Sequence, residues 1–171
     1  MAEVDDCVIE DKMDTELLNS ATAFIWAEAD MLDHAEYAGW LELWDPKGLY
    51  IVPIDPQTTD FANTLNYAHD DADMRAKRVA RLASGDSVST QPQARTVRNV
   101  SRLRVLKDEG TTVTIRGAQD LRDFRKDGFH QHTADVTWEL ARHGDAGWRI
   151  RSKVVRLINS ADTLSTLGYV L

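Results

Sequence analysis

The sequence predicts an α+β fold in which N-terminal helices pack in a strongly curved antiparallel sheet. In the first half of the chain, apolar residues recur at steps of three and four, which is typical of helices with one buried face. In the second half the period changes to two, in runs rich in Val, Thr, Ile and aromatic residues that favour strands. Short glycine-bearing connections at 107–110 and 143–147 predict hairpins. A curved sheet around a long helix predicts a cone with a pocket inside.

Two helices are predicted before the first strand. The first begins at Asp14 and Thr15, which can cap its N-terminus. A second, short helix is predicted over 36–44 and ends where Pro46 and Gly48 interrupt the pattern. The broad apolar stripe of the first helix consists of Leu17, Leu18, Ala21, Phe24, Ile25, Ala29, Met31 and Leu32.

The middle of the chain is predicted to form a short strand at 49–52, a polar loop over 55–66 and a third helix over 70–83. A loop of that length usually covers a site or a partner. The third helix has an acidic start and a basic end, and both favour the helix dipole.

Four long strands are predicted at 97–106, 111–123, 129–142 and 148–158. In the last of them Trp148, Ile150 and Ser152 share a face, but the consecutive Val154 and Val155 break the alternation. A β-bulge at that point would bend the sheet.

Length and composition indicate a single folded domain over 14–171 behind a flexible acidic tail over 1–13. The chain has 171 residues, of which 43% are hydrophobic, enough for a sizeable core. The net charge of −8 disfavours binding to nucleic acid or to an anionic membrane surface. The single cysteine, Cys7, cannot form an internal disulfide. Because the sequence also shows neither a secretion signal nor an apolar run of membrane-spanning length, we expect a cytoplasmic protein.

Two histidines in one predicted strand, His130 and His132, are the sharpest candidates for chemistry. Residues two apart on a strand point the same way, so both imidazoles are predicted to face the concave side with Ala134 and Val136. Two histidines and one carboxylate are a ligand set for non-haem iron or zinc. No carboxylate stands at a fixed spacing from the pair, so we predict no metal site.

A stand-alone enzyme on this fold, such as a dehydratase or isomerase, would need a histidine or carboxylate aimed into the pocket. Tyr50, His69 and Asp70 are the candidates for that role beside His130 and His132. For Asp70 and the adjacent aspartate, N-capping of the third helix is the alternative, because aspartate is a preferred capping residue. A small-molecule-binding protein without chemistry is a further alternative.

Three regions indicate contact with other chains. The basic run over 95–104 lacks aromatic residues for base stacking, so it predicts a solvated or partner-facing strand edge and not a nucleic-acid track. The polar loop over 55–66 carries two large apolar residues, and the final residues are apolar, so they must be buried by the chain itself or by another subunit. We therefore predict subunit-interface roles for Phe61, Leu65, Arg95, Arg98, Leu167, Tyr169 and Leu171.

An ordered series of short motifs over 24–171 resembles the small (β) subunit of aromatic-ring-hydroxylating, Rieske-type dioxygenases. Each motif is weak alone, but the set in its fixed order is specific. In the helices the motifs are Glu28-Ala29, Leu32-Asp33, Trp40-Leu41, Asp70-Asp71, Arg78-Val79 and Arg81-Leu82. In strands and connections they are Tyr50-Ile51-Val52-Pro53, Pro92, Arg95-Thr96, Val100-Ser101, Trp148-Arg149-Ile150, Lys153-Val154-Val155 and Leu157-Ile158-Asn159.

The resemblance implies a cone-shaped, cystatin-like roll, as in nuclear-transport-factor and polyketide-cyclase-like proteins. It also implies a non-catalytic, structural β subunit in a complex of three α and three β chains, whose β trimer holds the α chains together. In such complexes the α chain carries a Rieske [2Fe–2S] cluster and a mononuclear Fe(II), and a reductase supplies its electrons. The reaction converts an aromatic compound, here an aromatic carboxylate, to a cis-dihydrodiol. A Rieske cluster needs two cysteines and two histidines, so no such cofactor is expected in this chain.

Overall fold

Three helices and six strands form the described part of the chain, which comprises residues 15–84, 95–125, 128–144, 147–160 and 169–171 of a computed structural model. The predicted tail over 1–13, the helix cap at Asp14 and the interface residue Leu167 lie outside these ranges, so they stay predictions. The helices are α1 (Thr15–Asp33), α2 (Tyr37–Glu42) and α3 (Ala72–Ser84). The strands are β1 (Trp44–Pro53), β2 (Asn66–Asp70), β3 (Arg95–Asp108), β4 (Thr112–Arg125), β5 (Gly128–Arg142) and β6 (Trp148–Leu157).

The six strands form one curved, open sheet in the order β2-β1-β6-β5-β4-β3, with β2 and β3 at its free edges. Strands β3 to β6 pair in antiparallel succession, which confirms the hairpins predicted from the short connections. The predicted antiparallel sheet contains one parallel pair, which β1 and β6 form. This pairing joins strands far apart in the sequence, where no local turn signal fixes the direction.

The region between 44 and 70 holds more strand than the sequence predicts. Trp44 starts β1, whereas α2 already stops at Glu42. Strand β2 replaces the predicted loop end and helix start, and only its residues Ala68 and Asp70 are buried. Such a short, polar edge strand has a weak hydrophobic period, and its pairing with β1 stabilises it instead.

Helix α1 packs on the concave face of the sheet, as its apolar stripe predicts. Its buried residues include Ala21, Ile25 and Leu32, and none of these is more than 4% exposed. They belong to the same core as Ile115 of β4 and Trp138 of β5, both fully buried. The helix therefore fills the inside of the curved sheet.

A β-bulge bends β6 at Arg151, three residues before the predicted position. Leu140 pairs with Ile150, and Glu139 pairs with Ser152, so Arg151 is the additional residue. The bulge changes which residues point inward. Val154 and Val155 are both buried because they lie on opposite faces of a strand that is covered on both sides.

Among the helices that the structure describes, none combines the length and the apolar character needed to cross a membrane.

Candidate functional site

A buried ion pair occupies the centre of the concave face. Lys153 Nζ of β6 lies 2.8 Å from Glu28 Oε1 of α1, and each side chain is 1% exposed. The indole N–H groups of Trp40 and Trp138 donate to Glu28 Oε1 and Oε2 over 3.2 and 3.1 Å. Burial lowers the pKa of Lys153, and the Glu28 carboxylate opposes this shift. Both carboxylate oxygens are engaged by protein groups, so this cluster, the Glu28 brace, joins helix to sheet.

The Glu28 brace is absent from the predicted site residues, although Glu28 and Lys153 both stand in the family motifs. The available signal was helical spacing. Glu28 lies three residues after Ile25 and four before Leu32, at the middle of the apolar stripe.

Three side chains from three strands hold the final residues, 169–171. Leu171 N–H donates to the Tyr50 hydroxyl over 3.0 Å, and that hydroxyl lies 3.4 Å from Leu171 O. The Arg98 guanidinium donates to the Val170 carbonyl. The Tyr169 hydroxyl donates to the carboxylate of Asp123 on β4. We call Tyr50, Arg98 and Asp123 the tail clamp.

Helix α1 fixes the position of Arg98 in the tail clamp. The Asp33 carboxylate accepts the Arg98 backbone N–H over 2.7 Å and also pairs with its guanidinium. The Thr96 hydroxyl donates to the same carboxylate over 2.8 Å. Arg98 is thus held from both sides, between the end of α1 and Val170.

The two histidines of β5 share the concave face, as predicted. His130 Nδ1 lies 2.9 Å from Asp123 Oδ1, and the carboxylate is fully buried whereas the imidazole is 29% exposed. The buried ring of His132 meets the Tyr169 ring edge-on, with centroids 6.0 Å apart. No group of three or more His, Cys, Asp or Glu side chains in the described ranges is placed to hold a metal ion. Asp123, the residue that links His130 to the tail clamp, is missing from the predicted set.

Tyr50 and Asp70 form a second group, on β1 and β2. They are cross-strand partners, and Arg78 of α3 binds the buried Asp70 carboxylate with two nitrogens, at 2.5 and 3.0 Å. Burial raises the pKa of Tyr50 to about 12, although Arg78 and the hydrogen bond to Leu171 oppose this shift. Asp70 ends β2 and does not cap α3. The cap is Asp71, whose Oδ1 accepts the Met74 N–H over 2.9 Å.

The five candidates for an active site therefore do not converge on one space. Strand β6 separates β1 and β2 from β5, and the final residues bridge the two groups because Tyr169 reaches His132 and Leu171 reaches Tyr50. His69 is exposed on β2 and belongs to neither group.

The predicted interface residues divide into exposed and internal ones. Leu65 is 79% exposed and Arg95 is also exposed, whereas Phe61 is half-buried under the Arg156 guanidinium, 5.5 Å from its ring. Arg98, Tyr169 and Leu171 are all buried. The described part of the apolar end, residues 169–171, is therefore covered by the chain itself, which was one of the two predicted alternatives.

Exposed apolar side chains gather at one end of the sheet. Phe124 and Phe129 are cross-strand partners on the outer face, with ring centroids 4.9 Å apart, and they are 47% and 79% exposed. Val97 pairs with Arg122, close to Phe124, and the Ile158 N–H donates to Thr133 O of β5; these two apolar side chains are 61% and 75% exposed. Soluble chains expose few contiguous apolar groups, and those that do usually use them for contacts with other molecules.

Helix α1 covers part of the sheet edge that β3 forms. The Trp26 indole donates to the Val100 carbonyl over 3.1 Å, and Asp33 accepts the Arg98 N–H. These side chains occupy backbone groups that would otherwise pair with another strand. A groove of about 910 Å³ remains between α1 and β3, open to solvent and lined by both.

Proteins of known family and structure are similar to this chain in sequence and in fold. The chain is 27% identical over 153 residues to the benzoate 1,2-dioxygenase subunit beta of Acinetobacter baylyi, a match that covers 86% of this chain and 89% of that one. The beta subunit of the benzoate 1,2-dioxygenase of Burkholderia mallei superposes with a TM-score of 0.73 at 21% identity, over 89% of this chain and 96% of that chain.

An NTF2-like protein with a cystatin-like fold from Novosphingobium aromaticivorans superposes with a TM-score of 0.57 at 19% identity, over 86% of this chain and 82% of that chain. It confirms the predicted cystatin-like roll. The family model described as "Ring hydroxylating beta subunit" matches residues 27–162, most of the chain. The chain belongs to the family of ring-hydroxylating dioxygenase beta subunits.

Proposed function

We propose that this chain is a non-catalytic, structural β subunit that stabilises the α subunits of a multicomponent dioxygenase. This proposal is supported by one observation: the side chains on the concave face that could perform chemistry already bind one another or other groups of the chain. Glu28 binds Lys153 and two indoles, Asp70 binds Arg78, and the Tyr50 hydroxyl and Asp123 hold the final residues. An interior organised in this way supports a scaffold.

The catalytic metals belong, in this proposal, to the α subunit. A Rieske [2Fe–2S] cluster needs two thiolates, and this sequence has one cysteine, so its residues do not fit that group. We propose that the α chain carries both the cluster and the mononuclear Fe(II), and that it receives electrons from a reductase. The assembly would contain three α and three β chains in the cytoplasm.

The proposed substrate of the complex is an aromatic carboxylate, which would be converted to a cis-dihydrodiol. The names of the relatives in Acinetobacter baylyi and Burkholderia mallei both specify benzoate. Substrate contacts would lie in the α subunit.

The test is co-expression with a cognate α chain. We expect a complex of several times the mass of this chain, with iron in the complex and oxidation of a benzoate that requires added reductase. The α chain expressed without this subunit should lose solubility or activity. An α chain that is soluble and fully active alone, and never co-purifies with this chain, would refute the proposal.

A stand-alone dehydratase, isomerase or binding protein is the rival, and the partly exposed His130 beside Asp123 is the observation in its favour. A general acid or base contributes about 10²–10⁴-fold to rate. The rival therefore requires turnover by the isolated chain and a loss of that order in His130→Asn. The structural role instead predicts that the dioxygenase complex containing His130→Asn keeps its rate.

A further inference from the structure

Five exposed arginines lie on β3 and β4. Within the described ranges none of them has an ion-pair partner, whereas most of the nearby acidic groups are engaged, such as Asp120, which accepts the Thr133 hydroxyl over 2.6 Å. We call these five residues the arginine face: Arg95, Arg102, Arg104, Arg116 and Arg122.

The pairing of β3 with β4 places like charges together. Arg104 and Arg116 are direct cross-strand partners, and both are exposed. Like charges directly opposite on a sheet destabilise the pair. The same surface exposes Val97 and Phe124, which offer apolar area to a partner. An acidic, partly apolar surface that covers it would both neutralise the arginines and bury these side chains.

The other free edge of the same sheet has the complementary character. The stretch from 54 to 74, which surrounds β2, contains five aspartates and neither lysine nor arginine. Asp70 is neutralised by Arg78, and the other four form no ion pair within the described part of the chain. Leu65 and Met74 are 79% and 41% exposed beside them. We call Asp55, Asp60, Asp71 and Asp73, with these two apolar residues, the acidic edge.

We propose that the arginine face of one copy of this chain binds the acidic edge of a second copy, head to tail. The two surfaces lie at opposite ends of the strand order, β3 with β4 at one end and β2 at the other, so each copy keeps one free surface of each kind. Contacts between two different surfaces close into rings when the rotation permits. The inference rests on the proposed function, which places three copies of this chain in one complex, and it names the surfaces through which these copies would meet.

The experiment measures the native mass of the chain, alone and co-expressed with α, by light scattering over a range of concentration and salt. Arg104→Glu with Arg116→Glu should weaken self-association at least tenfold, and so should Asp60→Lys with Asp73→Lys. A chain that carries all four changes should associate again, because each surface then meets its opposite. Lys47→Glu with Arg149→Glu changes the net charge equally outside both surfaces and should have no effect. Circular dichroism checks that every variant is folded.

Three results would overturn the proposal. The first is a monomeric wild-type chain that still binds α, which would leave the proposed function intact. The second is an arginine-face variant that keeps its self-association but releases α, because the arginines would then serve the α subunit. The third is failure of the quadruple variant to associate, which would contradict the pairing of these two surfaces. Absence of any complex with α would count against the proposed function and not against this contact.

Discussion

Glu28 Oε1 lies 2.8 Å from Lys153 Nζ, and no other pair in the described structure joins α1 to β6 through two fully buried charges. Removing two charges from water is costly, and the attraction between them offsets the cost only when their remaining hydrogen-bonding capacity is also used. The indole N–H groups of Trp40 and Trp138 use that capacity by donating to the Glu28 carboxylate. The ion pair therefore depends on residues from α1, α2, β5 and β6 arriving together.

Replacing Lys153 by Met should lower the free energy of unfolding by roughly 3–5 kcal/mol, because it leaves the Glu28 carboxylate buried without its partner. Urea denaturation of the isolated chain measures the change. The matched control is Arg151→Met on the same strand, which removes an exposed pair with Glu139 at 3.4 Å. That substitution should cost no more than about 1 kcal/mol. Equal effects at the two positions would contradict the account of the Glu28 brace.

Local pattern predicts α1 and the last four strands because their apolar residues recur at helical or strand spacing over many residues. The same pattern does not identify the Glu28 brace. A glutamate in a helix normally faces solvent, and its partner Lys153 stands 125 residues away. The bulge at Arg151, which turns Lys153 inward, depends on the register against β5, and its position is wrong by three residues in the prediction.

Replacing Tyr169 by Phe tests the tail clamp. The change removes the hydroxyl that donates to the buried Asp123 carboxylate, so it should cost roughly 1–3 kcal/mol of stability. Hydrogen exchange at residues 169–171 should also become faster. Tyr37→Phe is the control, because the half-buried Tyr37 packs against the core without a hydrogen bond from its hydroxyl in the described residues. Unchanged exchange in Tyr169→Phe would show that the tail is held by other contacts.

Tyr50 gives the chain a defined alkaline sensitivity. Burial raises its pKa to about 12, compared with 10.0 for the ordinary side chain. Between these values the unfolded chain releases a proton that the folded chain retains, so the stabilisation is complete below pH 10 and is lost as the pH rises towards 12. The wild type should therefore lose on the order of 2 kcal/mol relative to Tyr50→Phe over this interval.

Denaturation of both proteins at several pH values from 9 upward measures this difference. Contributions from other groups, including Lys153, are common to both proteins and cancel. Tyr67→Phe, at a tyrosine that is 39% exposed, controls for the loss of one phenol. Parallel pH profiles for the wild type and Tyr50→Phe would contradict the prediction.

Only part of the candidate site could be predicted, because the position of its other residues depends on which strands pair and in which register. Period two correctly places His130 and His132 on the concave face. Asp123 lies across from His130 in the register of β4 and β5, and that register is fixed by the whole hairpin. In the same way, Asp70 changes from a predicted helix cap to the end of β2 because it pairs with Tyr50.

Gly48 marks a close approach between backbones that no other residue type would fit. A Cβ atom built there would lie 2.6 Å from the Ile150 carbonyl oxygen and 3.0 Å from Asp45 O, and backbone atoms cannot move aside cheaply. The Gly48 carbonyl also accepts a hydrogen bond from the buried Arg75 of α3. Gly48→Ala should therefore destabilise the chain by about 1–3 kcal/mol, because β1 must separate from β6.

Gly39→Ala in α2 is the matched control, since its Cβ would meet only Met31, at 3.8 Å or more. Alanine favours the helix there by about 0.5–1 kcal/mol, so thermal denaturation should show opposite shifts for the two variants. Shifts of the same sign would contradict the packing described at β1 and β6.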